Sequence, residues 1–158
     1  MMPAAAAGDK SEILTIALGS GIFALPADIV LEILDPGPVT PIPTARPYIG
    51  NLINFRGRVV PLADLRLRCG MPVTAVTVDS RIVVLEIRFE GELILVAILV
   101  DKVYGVHNLD EVVLGQVPRI GMRWNPEFVR AVGKMDEGFV MVLDTDRIFS
   151  ATDPVVQI

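Results

Sequence analysis

The side chains able to do chemistry are few in this sequence, and they stand apart from one another. The single histidine, His107, has no cysteine or second histidine at ligand spacing, so it reads as a surface or turn residue. The single cysteine, Cys69, precludes an intramolecular disulfide and fits a reducing cytoplasm. Packing at a helix end accounts for it. Gly19-Ser20-Gly21 is too short for a nucleophile elbow and lacks the longer Gly-rich frame of a phosphate loop, whereas a hairpin turn explains it fully. Asp144-Thr145-Asp146 begins like a calcium loop, but Arg147-Ile148-Phe149 follows where more oxygen ligands and a glycine belong. Helix capping is the better account. The pairs Asp110-Glu111 and Asp136-Glu137 fall in apparent loops, where carboxylates are solvated. General acid–base work needs carboxylates held apart by a fold, and adjacency in sequence supplies no such geometry. These residues point away from catalysis, and no metal or cofactor is expected.

The elements around them must then present surfaces rather than a reacting centre. In 158 residues, 52% are hydrophobic and only 6% aromatic, so the core is built mainly from Val, Ile and Leu. That content favours strands. The length suits one domain, or two small lobes sharing a core. A formal net charge of −5 disfavours nonspecific binding to nucleic acid or to anionic lipid. Met1 to Gly8 is apolar but has no basic residue before it, and Asp9 to Glu12 end it too early for a signal peptide. The longest uncharged apolar run, Leu93 to Val100, is eight residues. A membrane helix needs about twenty, so this run is a buried strand, and no membrane insertion is expected.

Short strands punctuated by Gly and Pro fill the chain. Glu12–Leu18 and Ile22–Leu25 flank the Gly19-Ser20-Gly21 turn, and Ile29–Leu34 is a further apolar run with one acid, Glu32. Five prolines and a glycine make 35–47 a loop or extended cover, and Met71–Ser80 is a second linker. Arg81–Phe89 and Glu92–Val100, joined through Glu90-Gly91, form the clearest hairpin. Lys102–Val106 is short, and Asn108–Gln116 is polar and acidic. Pro118–Pro126, with Trp124, reads as a long surface loop, either pinned by its one aromatic or contacting a partner. Phe128–Val132 and Phe139–Leu143 precede a short helix over Asp144–Ser150. The domain occupies 12–150, between a flexible tail at 1–11 and a loose one at 151–158.

The most informative stretch is Tyr48 to Cys69. Asn54-Phe55-Arg56-Gly57-Arg58 separates two apolar runs, and Gly57 supplies the positive φ a tight hairpin requires. Gly50 and Pro61 are read as structural positions, Pro61 placing its strand at a sheet edge or a bulge because it cannot donate to a ladder. Asp64 caps a short helix that carries Leu65 inward and closes at Gly70. A faint repeat lays Gly57–Asp64 on Gly138–Asp144 with the acids one position out of step. Either a duplication or two uses of one β-to-helix solution explains it.

Strand alternation puts Val30, Glu32 and Leu34 on one face and Ile29, Leu31 and Ile33 on the other. One face then belongs to the core, and the other is an apolar surface with a charge in its middle. Glu32 is either a solvated acid or the centre of a docking face. Arg56 carries the same ambiguity.

In order along the chain stand Phe23-Ala24-Leu25-Pro26, Val30, Glu32-Ile33-Leu34, Pro43, Tyr48, Gly50, Asn54, Arg56-Gly57, Pro61, Asp64-Leu65, Val100-Asp101, Val103 and the run ending at Asp144. This series resembles CheW-like domains, the small adaptors of bacterial chemosensory arrays, over about Glu12 to Ser150. Asn51 and Phe55 depart from the aliphatic residues more usual there. The resemblance implies a mainly β fold of two SH3-like five-stranded barrels packed side by side, with short helices. It implies a cytoplasmic chemotaxis adaptor, recruited to receptor arrays, that couples the chemoreceptor tip to the regulatory domain of a CheA-like histidine kinase. A CheW-fold module of another chemosensory or pilus-motility pathway is the alternative, and a small-molecule-binding barrel is one of a different class. By the same resemblance Val30, Glu32, Asn54, Arg56 and Gly57 form the receptor or partner contact. Glu32 and Arg56 are expected as a partly buried, bidentate pair at the lip between the lobes. Such a pair contributes below about 1 kcal/mol if exposed; if buried, deleting one partner costs roughly 3–5 kcal/mol.

Overall fold

The strand Arg81–Phe89 is buried on both faces, and this organises the molecule. Its Ile82 and Val84 join a cluster with Ile53, Phe55, Val60, Leu62 and Ala97. The alternate residues Val83, Leu85 and Ile87 join a larger cluster with Leu14, Ile16, Leu18, Phe23 and Leu25. A strand that separates two apolar clusters reads as a continuous apolar run, as Ile82–Leu85 does here, before the exposed Glu86 and Arg88.

A computed structural model describes residues 11–43, 48–109, 112–113, 126–135 and 138–150. In chain order the elements are β1 (Ser11–Leu18), β2 (Gly21–Pro26), β3 (Val30–Leu34), β4 (Thr40–Pro41), β5 (Ile49–Phe55), β6 (Arg58–Ala63), α1 (Leu65–Arg68), β7 (Arg81–Phe89), β8 (Glu92–Val100), β9 (Lys102–Leu109), β10 (Val112–Val113), β11 (Val129–Met135), β12 (Gly138–Leu143) and α2 (Thr145–Ser150). They form two sheets. Sheet I runs β3-β7-β8-β6-β5-β4, and sheet II runs β10-β11-β12-β2-β1-β9. Each has five longer strands and one of two residues, which is the mainly β, two-lobed SH3-like architecture. Sheet I folds round the cluster containing Ile53 and Val84, and sheet II round Ile13, Ala24, Ala131, Val140 and Val142. The large third cluster lies between them.

The two lobes repeat one topology. Read from the opposite end, sheet I is β4-β5-β6-β8-β7-β3, which matches β10-β11-β12-β2-β1-β9 strand for strand. In both, the last strand before the helix makes a parallel pair: β6 with β8 through Leu62–Ala97, and β12 with β2 through Met141–Phe23. The burial patterns of β6 and β12 coincide residue for residue. Arg58 therefore corresponds to Gly138, and Asp64 falls in step with Asp144, which corrects the one-residue offset expected from sequence. The correspondence spans six strands and a helix, more than a shared β-to-helix turn requires. The halves also exchange hairpins. β1–β2 precede β3 in the chain but complete sheet II, and β7–β8 complete sheet I.

Several boundaries differ from those read in the sequence. Ile29 ends a 3-10 turn, Ala27–Ile29, rather than opening a strand. β9 extends through His107, whose Nδ1 lies 3.1 Å from the Thr15 hydroxyl, because pairing with β1 continues to Leu109. β6 is an inner strand, not an edge. Pro61 fits because β6 pairs with β8 only from Leu62 onward, so no second ladder needs its missing N–H. Gly50 lies at a bulge within β5, where pairing slips between Ile49–Ala63 and Asn51–Leu62. The tail residues 1–10 and 151–158, the two acid pairs and Trp124 lie outside the described residues.

Candidate protein-docking site

The hairpin β5–β6 closes through Arg56 and Gly57, whose φ angles are 55° and 82°. Two successive positive values match the right-handed strand twist across a two-residue loop. Gly57 adopts this freely, whereas Arg56 is a non-glycine residue in the left-handed region. The Asn54 side chain completes the turn, its Oδ1 accepting from the Gly57 amide at 2.8 Å. Asn54 thus fixes the loop that presents Arg56.

Arg56 Nη2 donates to Glu32 Oε1 at 2.5 Å. The contact links the edge strand β3 to the tip of the β5–β6 hairpin, which lies in the opposite half of sheet I. It closes one lobe on itself rather than sitting between lobes. The Arg56 side chain is 72% exposed and Glu32 34%, and the pair meets at one oxygen. This corrects the expected partly buried, bidentate pair. A residue at the tip of a two-residue turn stands as far from the core as the hairpin allows. At this exposure the pair contributes below about 1 kcal/mol.

The alternation of β3 holds, with a bulge between Val30 and Glu32. Val30 packs against the inter-lobe cluster and Leu34 against the sheet I cluster. Leu31 and Ile33 are exposed, as is Val59 close to the hairpin tip. The exposed apolar face of β3 thus carries no charge of its own. Glu32 lies on the half-buried face with Val30 and Leu34 and meets Arg56 from there.

Sequence reasoning missed the one buried charged side chain among the described residues. Arg66, on α1, is 2% exposed. Its Nε and Nη2 donate to the two oxygens of Asp64, each at 2.9 Å, and its Nη1 to Asp101 Oδ1 at 2.8 Å. Hydrogen bonding to Asp64 holds the Arg66 pKa above its ordinary value against the opposing effect of burial. Asp64 also caps α1, accepting from the Arg66 amide at 3.0 Å. Gly70, at φ 72°, ends the turn that follows. Its neighbour Cys69 is buried, and desolvation pushes the thiol pKa up to about 11 despite the nearby Arg68 cation. Arg68 lies over the rings of Tyr48 and Phe128 and donates to the Ile148 carbonyl at 3.2 Å. The signal available in sequence was the series Asp64, Arg66, Asp101, two of whose members stand in the family blocks.

No group of three or more His, Cys, Asp or Glu side chains among the described residues is placed to hold a metal ion. No helix among them is long and apolar enough to cross a membrane. The family model for the CheW-like domain matches residues 12–153, the span that builds both sheets and both helices.

The chain belongs to the CheW-like domain family.

Several relatives of this CheW-like domain are similar over most of their length. A probable chemotaxis protein CheW of Rhizobium etli is 27% identical over 146 residues, covering 92% of this chain and 91% of that one. The chemotaxis protein CheW of Thermotoga maritima is 26% identical over 137 residues, covering 87% and 86%. The crystal structure of the scaffolding protein TtCheW from Thermoanaerobacter tengcongensis superposes with a TM-score of 0.77 at 23% identity, covering 95% of this chain and 99% of that one. That likeness establishes the fold.

Proposed function

We propose that this CheW-like domain is a chemosensory adaptor that couples the cytoplasmic tip of a chemoreceptor to the regulatory domain of a CheA-like histidine kinase. The observation that carries the reading is the family match over residues 12–153, whose relatives are named chemotaxis proteins. The surface suits the task. An edge strand with exposed Leu31 and Ile33 is tied through Glu32 to a hairpin tip that presents Arg56. Edge strands and apolar patches are the features through which small β domains recognise other proteins. Val30, Glu32, Asn54, Arg56 and Gly57 are the residues of this docking face. Asn54 and Gly57 shape it, and Glu32 orients Arg56. The adaptor works in the cytoplasm at receptor arrays and transforms no substrate; holding receptor and kinase together raises their effective concentration.

The test is titration calorimetry with a purified receptor-tip fragment and, separately, with the regulatory domain of a CheA-like kinase. Binding to both supports the coupling role. Binding to the kinase alone assigns a module detached from receptors, and binding to neither removes the reading.

A further inference from the structure

The group around Arg66 joins the lobes in a way that apolar packing does not. Asp101 is the residue at which the chain leaves β8 of sheet I and enters β9 of sheet II. Its carboxylate is shared between the two. Oδ1 accepts from Arg66 of α1 at 2.8 Å, and Oδ2 accepts from the Gly19 amide, in the β1–β2 turn of sheet II, at 2.7 Å. The Asp101 amide in turn donates to the Ala17 carbonyl of β1 at 2.9 Å. A continuous line of charged hydrogen bonds therefore runs Asp64, Arg66, Asp101, Gly19, from one lobe to the other. Beside it, a Cβ built on Gly19 would lie 3.4 Å from Met71 Sδ, in the segment that follows α1, and the Met71 amide donates to the Arg66 carbonyl.

The repeat supplies a comparison inside the same chain. The position of α2 matching Arg66 is Asp146, which is exposed. The clamp is thus present at one of two equivalent sites, so the topology alone does not demand it.

We infer that Arg66 is a positioning residue that sets the angle between the two lobes by holding the crossover residue Asp101 against the β1–β2 turn. Apolar contact between sheets is non-directional and changes gradually as one surface slides on another. Charge-assisted hydrogen bonds to a planar guanidinium weaken steeply when misaligned. The apolar cluster keeps the lobes together, and the clamp fixes their orientation. Arg68, which lies over the Tyr48 and Phe128 rings and donates to the Ile148 carbonyl, is a second tie. For an adaptor that grips different proteins with its two lobes, this angle sets how those proteins face each other. That consequence rests on the proposed function, whereas the angle itself does not.

The experiment is electron–electron dipolar spectroscopy on the full chain in a Cys69→Ala background, with nitroxides at Glu86→Cys on β7 and Arg130→Cys on β11, both exposed. The expected result is a narrow distance distribution that broadens or gains a second peak on Arg66→Met. Asp101→Asn is the milder variant, because its amide oxygen still accepts from Gly19 while its charge for Arg66 is lost, and it is expected to broaden the distribution less. Hydrogen exchange in each lobe stays as in the parent, which separates a loosened angle from a weakened fold. An unchanged distribution in either folded variant overturns the inference. Global unfolding of both overturns it too, because the group would then serve folding and nothing finer. No partner enters this measurement, so its failure is distinct from failure of the adaptor reading.

Discussion

Asp64 and Asp144 hold the same post in the two halves: each backbone amide donates at 2.8 Å to the carbonyl of an aromatic residue that precedes a strand, Tyr48 and Phe128. Each side chain then caps the helix that follows, Asp64 through the Arg66 amide and Asp144 through the Arg147 amide. They differ in what else depends on them. Asp144→Ala loses a cap and is expected to cost about 1 kcal/mol. Asp64→Ala also removes one of the two carboxylates that neutralise the enclosed Arg66, and is expected to cost roughly 3 kcal/mol or more. Urea denaturation of the two variants checks the ratio.

Arg56→Ala and Glu32→Ala each break a largely exposed, single-point contact. Their unfolding free energies should change by less than about 1 kcal/mol. If Arg56 faces the partner, binding of the receptor tip falls by about tenfold or more, a loss of about 1.4 kcal/mol. Calorimetry paired with thermal melting reads both numbers. A large loss of Tm would assign the pair to the fold instead.

Val59 and Val60 are neighbours with opposite environments, 73% and 1% exposed. Val59→Asp is expected to leave the melting curve unchanged and to weaken partner binding. Val60→Asp places a carboxylate in the sheet I core at a cost of several kcal/mol, enough to unfold the domain. Circular dichroism and a pull-down on the two variants check the contrast.

Cys69 gives a pH dependence. Its pKa is raised from 9.0 in the unfolded chain to about 11 in the folded one. The folded state therefore binds this proton more tightly, and the stability so gained is complete below pH 9 and disappears as pH rises toward 11. The loss is on the order of 2–3 kcal/mol at most. Denaturation of the parent and of Cys69→Ala between pH 8 and 11, at about one-unit steps, isolates this contribution from that of the tyrosines and lysines. Parallel slopes would show that Cys69 does not supply it.

What the sequence made legible was local. The strands Arg81–Phe89 and Glu92–Val100 were readable to the residue, because Glu90-Gly91 marks a two-residue turn between strongly apolar runs. The Asp64 cap and the Gly57 turn were readable for the same reason, since their partners lie within three residues. The Glu32–Arg56 partnership was legible through the family blocks but its exposure was not, because depth depends on where the hairpin tip comes to rest. Pro61 suggested an edge or a bulge because an inner strand has a ladder on each side, whereas the second ladder of β6 begins one residue later. Arg66 went unnoticed, because a cation between two leucines on a short helix looks solvated. Only the crossover from β8 to β9 brings Asp101 to it, and no periodicity encodes that approach.

The exchange of hairpins has a consequence for how the protein is made. Ser11–Pro26 emerges from the ribosome early, but β2 pairs with β12 and β1 with β9, both synthesised after the whole of sheet I. Until those strands appear, that apolar ribbon has no sheet to join. Sheet I is completed first, once Val100 has appeared, and the amino-terminal ribbon must wait for the carboxyl-terminal strands before its exposed edges are covered.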